Sequence, residues 1–135
     1  MKDSISSSPV KATAAKGSRK VLYVDDMREL REVARIALAR AGHRVECVAD
    51  GADAFDRITA APGYFDIVIT DHHMAGMDGL ELVMKLREIK FPGMIAIVSS
   101  ELNEEVADDY RRLGVERILY KPVELKHLRA LVLES

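Results

Sequence analysis

Five side chains that could bind a metal ion or take part in phosphoryl transfer come at or just after apolar runs of this chain. They are Asp25, Asp26, Asp71, Ser99 and Lys121. Three carboxylates held close together repel one another, which raises their pKa values unless a cation neutralises them. Oxygen ligands of this kind suit a hard divalent cation, so we expect Mg²⁺, for which Mn²⁺ can substitute.

Asp71 is the predicted nucleophile of this group. An aspartate carboxylate can attack phosphorus and hold the phosphoryl group as an aspartyl phosphate. The metal ion would bridge the carboxylates to the incoming group and offset the charge on its oxygens. Lys121 would supply a second positive charge, and the Ser99 hydroxyl would donate a hydrogen bond to another phosphoryl oxygen.

The elements that must bring these residues together alternate regularly along the chain. Short β-branched and aliphatic runs predict five strands, and apolar residues at helical spacing predict a helix after each strand. The predicted strands are residues 20–24, 45–48, 67–69, 94–98 and 117–120. This alternation favours an α/β domain with one parallel sheet of order 2-1-3-4-5 and helices on both faces, the flavodoxin-like arrangement. The carboxyl ends of strands one, three, four and five then meet at one crevice.

Cap residues mark the predicted helix ends. Asp50, Asp78 and Asn103 are expected to begin the second, third and fourth helices, because their side chains can accept hydrogen bonds from free backbone N–H groups. Gly42 and Gly114 are expected to end the first and fourth helices.

Apolar residues three or four positions apart are expected to form the buried face of each helix. They are Leu30, Val33, Ala34, Ala37, Leu38 and Ala41 in the first helix, Leu82, Val83, Leu86 and Ile89 in the third, and Leu125, Leu128 and Val132 in the last, which is predicted to begin near Val123. The single cysteine, Cys47, has apolar neighbours and is expected to be a small buried core residue.

Length and composition are those of one globular domain. Of the 135 residues, we expect 1–18 to form a disordered tail and 19–135 to form the domain. The net charge of −2 gives no basic surplus for binding nucleic acid. No apolar run approaches the roughly 20 residues that span a bilayer, and no signal peptide is recognised, so we expect a cytoplasmic protein without membrane contacts.

Over residues 19–135 the chain resembles the receiver domain of response regulators in two-component signalling. The matching stretches are VLYVDD, IVITDHHMAGMDGLEL, IAIVSS and ILYKPV. The resemblance implies that a histidine kinase or a histidine phosphotransfer protein phosphorylates Asp71. It also implies that Asp26 and Asp71 bind Mg²⁺ directly, together with the backbone carbonyl of His73, while Asp25 acts through water.

The same resemblance assigns the remaining site residues. Ser99 takes the position of the switch hydroxyl, and Lys121 takes that of the phosphate-contacting lysine, which precedes a cis proline at Pro122. Ile118 occupies the switch position on the fifth strand that is usually aromatic. We expect either that Tyr120, on the same strand face, partly substitutes for it, or that signalling passes through the fourth helix without a ring rotation.

The loop after Asp71 departs from the family pattern. Met74-Ala75 stands where Met-Pro is usual, so the loop lacks a rigid proline, and Ser100 stands where the family has a small residue after the switch hydroxyl. His73 and Glu101 lie two residues after Asp71 and Ser99, respectively. We predict that this pair tunes the lifetime of the acyl phosphate.

The resemblance also implies partners. The kinase is expected to dock beside the first helix, and a downstream effector protein on the fourth helix, fifth strand and last helix. The mixed charges of that second surface are compatible with a homodimer.

Other interpretations remain open. A flavodoxin would need a phosphate-binding loop rich in Ser, Thr or Gly, where this chain has Asp25-Asp26-Met27. A phosphatase with an aspartyl-phosphate intermediate usually has a second acid two residues after the nucleophile, where this chain has His73. The Asp71-His72-His73 tripeptide matches a phosphoesterase signature by chance, since the further aspartate motifs are missing. A receiver domain separated from a C-terminal output domain is also compatible with the sequence.

Overall fold

The structure is a computed structural model that describes residues 17–135. Across this range, five strands alternate with five helices. The strands are β1 (Lys20–Val24), β2 (Arg44–Val48), β3 (Ile67–Asp71), β4 (Met94–Ser99) and β5 (Arg117–Tyr120). The helices are α1 (Arg28–Arg40), α2 (Gly51–Ala60), α3 (Gly79–Glu88), α4 (Glu104–Arg112) and α5 (Leu125–Glu134). The predicted tail lies outside the described residues except for Gly17 and Ser18.

The five strands form one parallel sheet in the order β2-β1-β3-β4-β5. The predicted order is therefore confirmed. Each strand connects to the next through a helix, because parallel neighbours need a crossover that returns the chain to the same end of the sheet. The register places Asp71 opposite Val98 and Ser99 opposite Tyr120. Polar residues at the ends of separate strands are thereby brought to the same edge of the sheet.

Within residues 17–135, the hydrophobic core consists of two clusters, one on each face of the sheet. Side chains alternate between the faces along a strand, so Val68 belongs to one cluster while Ile67 and Ile69 belong to the other. Helices α2, α3 and α4 cover the face that includes Val68, and α1 and α5 cover the opposite face. All residues of β3 are buried, as predicted for a central strand covered on both faces.

The predicted helix caps are confirmed. The side chains of Asp50, Asp78 and Asn103 each accept a hydrogen bond from the backbone N–H three residues later. Gly42 and Gly114 follow the ends of α1 and α4 with φ angles of 97° and 83°, which favour glycine because other residues adopt such angles at a cost.

Several residues predicted to be buried are not. Val33 and Leu125 are 50% and 38% exposed because they line a groove between α1 and α5. Ile89 is 45% exposed because it lies at the C-cap of α3, after the last helical residue. Ala41 is also exposed, since it lies beyond the last turn of α1. Cys47 is only partly buried, because β2 is an edge strand.

Two further points concern the start of the last helix and the apolar character of the helices. The last helix begins at Leu125, two residues later than predicted. Within residues 17–135, none of the helices combines the length and apolar character needed to cross a bilayer.

Candidate functional site

Three carboxylates meet at the carboxyl ends of β1 and β3, which are neighbours in the sheet. One oxygen from each of Asp25, Asp26 and Asp71 lies within 4.8 Å of the other two. Asp25 is 1% exposed and Asp71 6% exposed, whereas Asp26 is exposed to solvent. Asp25 is held in place by the backbone N–H of Met27, which donates to its Oδ1 at 2.9 Å. The acids that the sequence analysis grouped therefore form one cluster.

Lys121 enters this cluster from the end of β5. Its Nζ donates to Asp25 Oδ2 at 3.0 Å and to Asp71 Oδ2 at 3.2 Å. Burial alone would lower the pKa of Lys121, but hydrogen bonds and charges from both carboxylates outweigh burial and raise its pKa above the ordinary value. The pKa of Asp71 is raised by burial and by the charge of Asp25, against the opposing charge of Lys121. The ionised form of the predicted nucleophile is thus costly to hold in this pocket without further positive charge.

Ser99 ends β4 and is fully buried. Its Oγ donates to the backbone carbonyl of Glu101 at 3.1 Å, and its own carbonyl accepts from the backbone N–H of Lys121 at 2.8 Å. The Lys121–Pro122 peptide bond is cis, as the sequence analysis expected. The Ser99 hydroxyl therefore lies at the same carboxyl end of the sheet as the acids. Its hydrogen bond to Glu101 connects this end of the sheet to the β4–α4 loop.

The two candidate switch residues on β5 differ in environment. Ile118 packs against the core cluster on the α2, α3 and α4 face, whereas Tyr120 is 50% exposed. His73 lies beside the mouth of the site, with its Nε2 3.2 Å from the backbone carbonyl oxygen of Glu101. The structure thus places His73 against the main chain of Glu101, and the effect of these two residues on the lifetime of the acyl phosphate stays a prediction.

The contact of His72 with α4 was not predicted from the sequence. His72 is 9% exposed, and its Nδ1 lies 2.6 Å from the hydroxyl of Tyr110 on α4. Burial lowers the pKa of His72 and raises that of Tyr110. A sequence signal did exist, because Tyr110 falls on the apolar stripe of α4 and a buried tyrosine hydroxyl needs a hydrogen-bond partner.

The acidic cluster suits a hard divalent cation. All of its donors are carboxylate oxygens, which Mg²⁺ prefers. Among the described residues, Lys121 is the one cationic side chain hydrogen-bonded to these carboxylates. Three negative charges against one positive charge leave an excess that a divalent ion would balance.

The comparison with protein families finds a match to the response regulator receiver domain over residues 21–133. Among similar proteins, the Sensory/regulatory protein RpfC of Xanthomonas campestris is 33% identical over 110 residues, covering 78% of this chain. Ethylene receptor 2 of Arabidopsis thaliana is 36% identical over 117 residues, covering 82% of this chain. The chain spans only 15% of the length of each of these relatives.

Solved structures agree with this match. Chemotaxis protein CheY4 of Vibrio cholerae is 29% identical, with a TM-score of 0.79 over 87% of this chain and 98% of that one. A response regulator receiver protein from Pseudomonas putida is also 29% identical, with a TM-score of 0.81 and the same coverage.

Proposed function

Because this chain belongs to the response regulator receiver domain family, we propose that Asp71 accepts a phosphoryl group from a histidine kinase or a histidine phosphotransfer protein. The observation that carries the proposal is the contact of Lys121 with both Asp25 and Asp71 inside a cluster of three carboxylates. A cluster of this kind can bind a divalent ion and a phosphoryl group together, because the acids hold the cation and the cation attracts the phosphoryl oxygens.

The proposed metal ligands are the carboxylates of Asp26 and Asp71 and the backbone carbonyl of His73, with Asp25 acting through water. When bound, Mg²⁺ or Mn²⁺ would offset negative charge on the transferred group. Asp26 is exposed, which leaves room for the solvent ligands that Mg²⁺ retains.

In the proposed transfer, a carboxylate oxygen of Asp71 attacks the phosphorus atom of a phosphohistidine. A P–O bond to Asp71 forms while the P–N bond breaks, and the electron pair of the broken bond returns to the imidazole nitrogen of the donor. Lys121 exchanges its contact with the Asp71 carboxylate for one with a phosphoryl oxygen. Before the reaction, the two carboxylates hold the ammonium group of Lys121 in place. During transfer, this ammonium group stabilises negative charge on the phosphoryl oxygens.

Switching is proposed to begin at Ser99. Its hydroxyl now donates to the carbonyl of Glu101, and a phosphoryl oxygen on Asp71 would be a stronger, charged acceptor. Transfer of this hydrogen bond would free the β4–α4 loop and shift the equilibrium of the surface formed by α4, β5 and α5. Tyr120, half exposed on that surface, would report or support the shift in place of the aromatic residue that Ile118 replaces.

Two surfaces are proposed for partners. A groove of about 310 Å³ between α1 and α5 is lined mainly by apolar side chains, and Lys121 is one of its lining residues. A helix of the phosphoryl donor lying in this groove would bring its phosphohistidine next to Asp71. The α4, β5 and α5 surface would bind the downstream effector or a second copy of the chain. We propose no direct contact with nucleic acid or membrane.

The test is phosphorylation by acetyl phosphate with and without Mg²⁺, followed by intact-mass measurement and peptide mapping. We expect wild type to gain one phosphoryl group in a Mg²⁺-dependent reaction, and Asp71→Asn to gain none. Asp56→Asn, a change at an exposed aspartate of α2, should behave as wild type. Modification at another residue, or without need of a divalent ion, would contradict the proposal. Turnover of a phosphate ester by wild type would favour a phosphatase instead.

A further inference from the structure

The hydrogen bond between His72 and Tyr110 joins two distant parts of the chain inside the core. The two residues are 38 positions apart. Their rings pack edge to face, with centroids 5.5 Å apart and planes at 82°. Tyr110 is 0% exposed, so its hydroxyl must find a partner within the protein. The ring nitrogen of His72 is that partner, and the bond connects α4 to the residue that directly follows Asp71.

His72 is held on its backbone as well as its side chain. The N–H of Gly79 donates to the His72 carbonyl oxygen at 2.9 Å. A Cβ at position 79 would lie 2.6 Å from the Tyr110 hydroxyl, 2.6 Å from the Asp71 carbonyl oxygen and 2.9 Å from the His72 Cα. Because residue 79 is glycine, the start of α3 can pack directly against the His72–Tyr110 hydrogen bond. The result is a packed junction of the β3 end, the α3 start and α4.

This junction lies one residue before the backbone carbonyl proposed to bind Mg²⁺. We propose that Tyr110 is a positioning residue for the metal site, acting through His72 to hold the carbonyl of His73 at the metal. The inference rests on the proposed function, because it concerns the same site. The loop lacks the proline usual in the family, since Ala75 takes that place, and a side-chain anchor on His72 restrains a loop that would otherwise be freer.

The same contact gives α4 a direct connection to the metal site. Coupling between two sites is reciprocal. If the Tyr110 contact favours Mg²⁺ binding by some free energy, Mg²⁺ binding favours the position of α4 that makes this contact by the same free energy. The connection runs through the core on the α2, α3 and α4 face and does not need a ring rotation on β5. This contact is a route by which signalling could pass through the fourth helix, as expected from the sequence.

The first measurement is the Mg²⁺ dissociation constant by calorimetry on the full chain. Tyr110→Phe removes one oxygen and keeps the ring, and we expect it to weaken binding about tenfold, the lower end of the range for groups that orient metal ligands. His72→Leu should weaken binding by a similar factor. His72→Asn should stay within about twofold of wild type, because its side-chain amide can occupy the Nδ1 position and keep the bond. The double variant Tyr110→Phe/His72→Leu should be no weaker than the singles, since all remove the same contact.

The second measurement is amide hydrogen exchange of residues 73–75 without Mg²⁺. We expect faster exchange in Tyr110→Phe than in wild type, as a loosened loop opens more often. Ile58→Val, a core change in α2, controls for general loss of stability and should alter neither the exchange nor the Mg²⁺ affinity.

The outcomes separate the two proposals. If wild type does not bind Mg²⁺, the proposed function fails and this inference fails with it. If wild type binds but Tyr110→Phe and His72→Leu bind equally well, the inference alone is overturned. It is also overturned if Ile58→Val weakens binding as much as Tyr110→Phe, because stability rather than position would then be the cause.

Discussion

Binding of Mg²⁺ should stabilise the unmodified protein, and this stabilisation should depend on Asp26. One oxygen from each of three carboxylates lies within 4.8 Å of the other two, and one ammonium group does not balance the repulsion among these carboxylates. A ligand that binds only the folded state lowers its free energy by RT ln(1 + [L]/Kd). Because the acids come from distant segments, the unfolded chain offers no comparable site.

The expected size follows from this relation. At a Mg²⁺ concentration ten times Kd, the free energy of unfolding rises by about 1.4 kcal/mol. For a domain of this length, a change of 1 kcal/mol moves Tm by about 3–5 °C. The expected increase is therefore about 5 °C, and each further tenfold rise in Mg²⁺ should add a similar step.

The assay is thermal unfolding followed by circular dichroism over a Mg²⁺ series at constant ionic strength. Asp26→Asn is the informative variant, because Asp26 is exposed and its replacement opens no cavity; by relieving carboxylate repulsion it should leave the protein without Mg²⁺ at least as stable as wild type. The variant should nevertheless lose most of the Mg²⁺-dependent increase. Asp53→Asn, at another exposed aspartate, should keep the full increase.

Two results would refute this reasoning. One is a wild-type Tm that does not respond to millimolar Mg²⁺. The other is an equal response in wild type and Asp26→Asn, which would place the stabilising ion elsewhere on the protein.

Three further predictions concern neighbouring features. His73→Ala and Glu101→Ala should each change the rate at which the acyl phosphate is lost, because both residues flank the mouth of the site; dephosphorylation rates equal to wild type in both variants would contradict this. Burial and the charge of Arg19 lower the pKa of His43, whose Nδ1 accepts the backbone N–H of Arg19 at 2.9 Å. The folded state thus binds fewer protons, and urea unfolding should show stability falling as pH drops below about 6.5. His43→Asn should reduce this pH dependence, and an unchanged profile would exclude His43 as its source. Gly79→Ala should cost about 2–3 kcal/mol in urea unfolding, since its Cβ would lie 2.6 Å from a backbone oxygen; a loss below about 0.5 kcal/mol would show that the junction can yield.

Much of the fold could be predicted because its signals are local. The apolar run Ile67-Val68-Ile69 is too short for a helix and lacks the alternation of a half-exposed strand, so it predicted a buried central strand, and β3 is buried throughout. Asp50, Asp78 and Asn103 cap their helices through hydrogen bonds to N–H groups three residues away. Interactions of such short range depend on neighbouring residues alone.

The errors arose where burial depends on distant elements. Helical spacing placed Val33 and Leu125 on the apolar stripes of their helices, but α1 and α5 leave a groove between them and both side chains line it. Cys47 has apolar neighbours in sequence, yet β2 is an edge strand and its side chain remains partly exposed. Spacing shows which side of a helix or strand is apolar, but the width of the covered region is set by the neighbouring elements.

The sequence by itself determined the strands, the caps and the strand-end position of each acidic residue, since hydrophobic periodicity and capping are properties of adjacent residues. The alternation of strands and helices predicted a parallel sheet, and the order 2-1-3-4-5, expected as one of the common doubly wound orders, is the one that the structure shows. Only the tertiary structure decided that Lys121 contacts two carboxylates at once and that the ring of His72 turns inward to Tyr110. Those contacts join segments 38 to 96 residues apart, and no local pattern specifies them, because their geometry results from packing helices on both faces of one sheet.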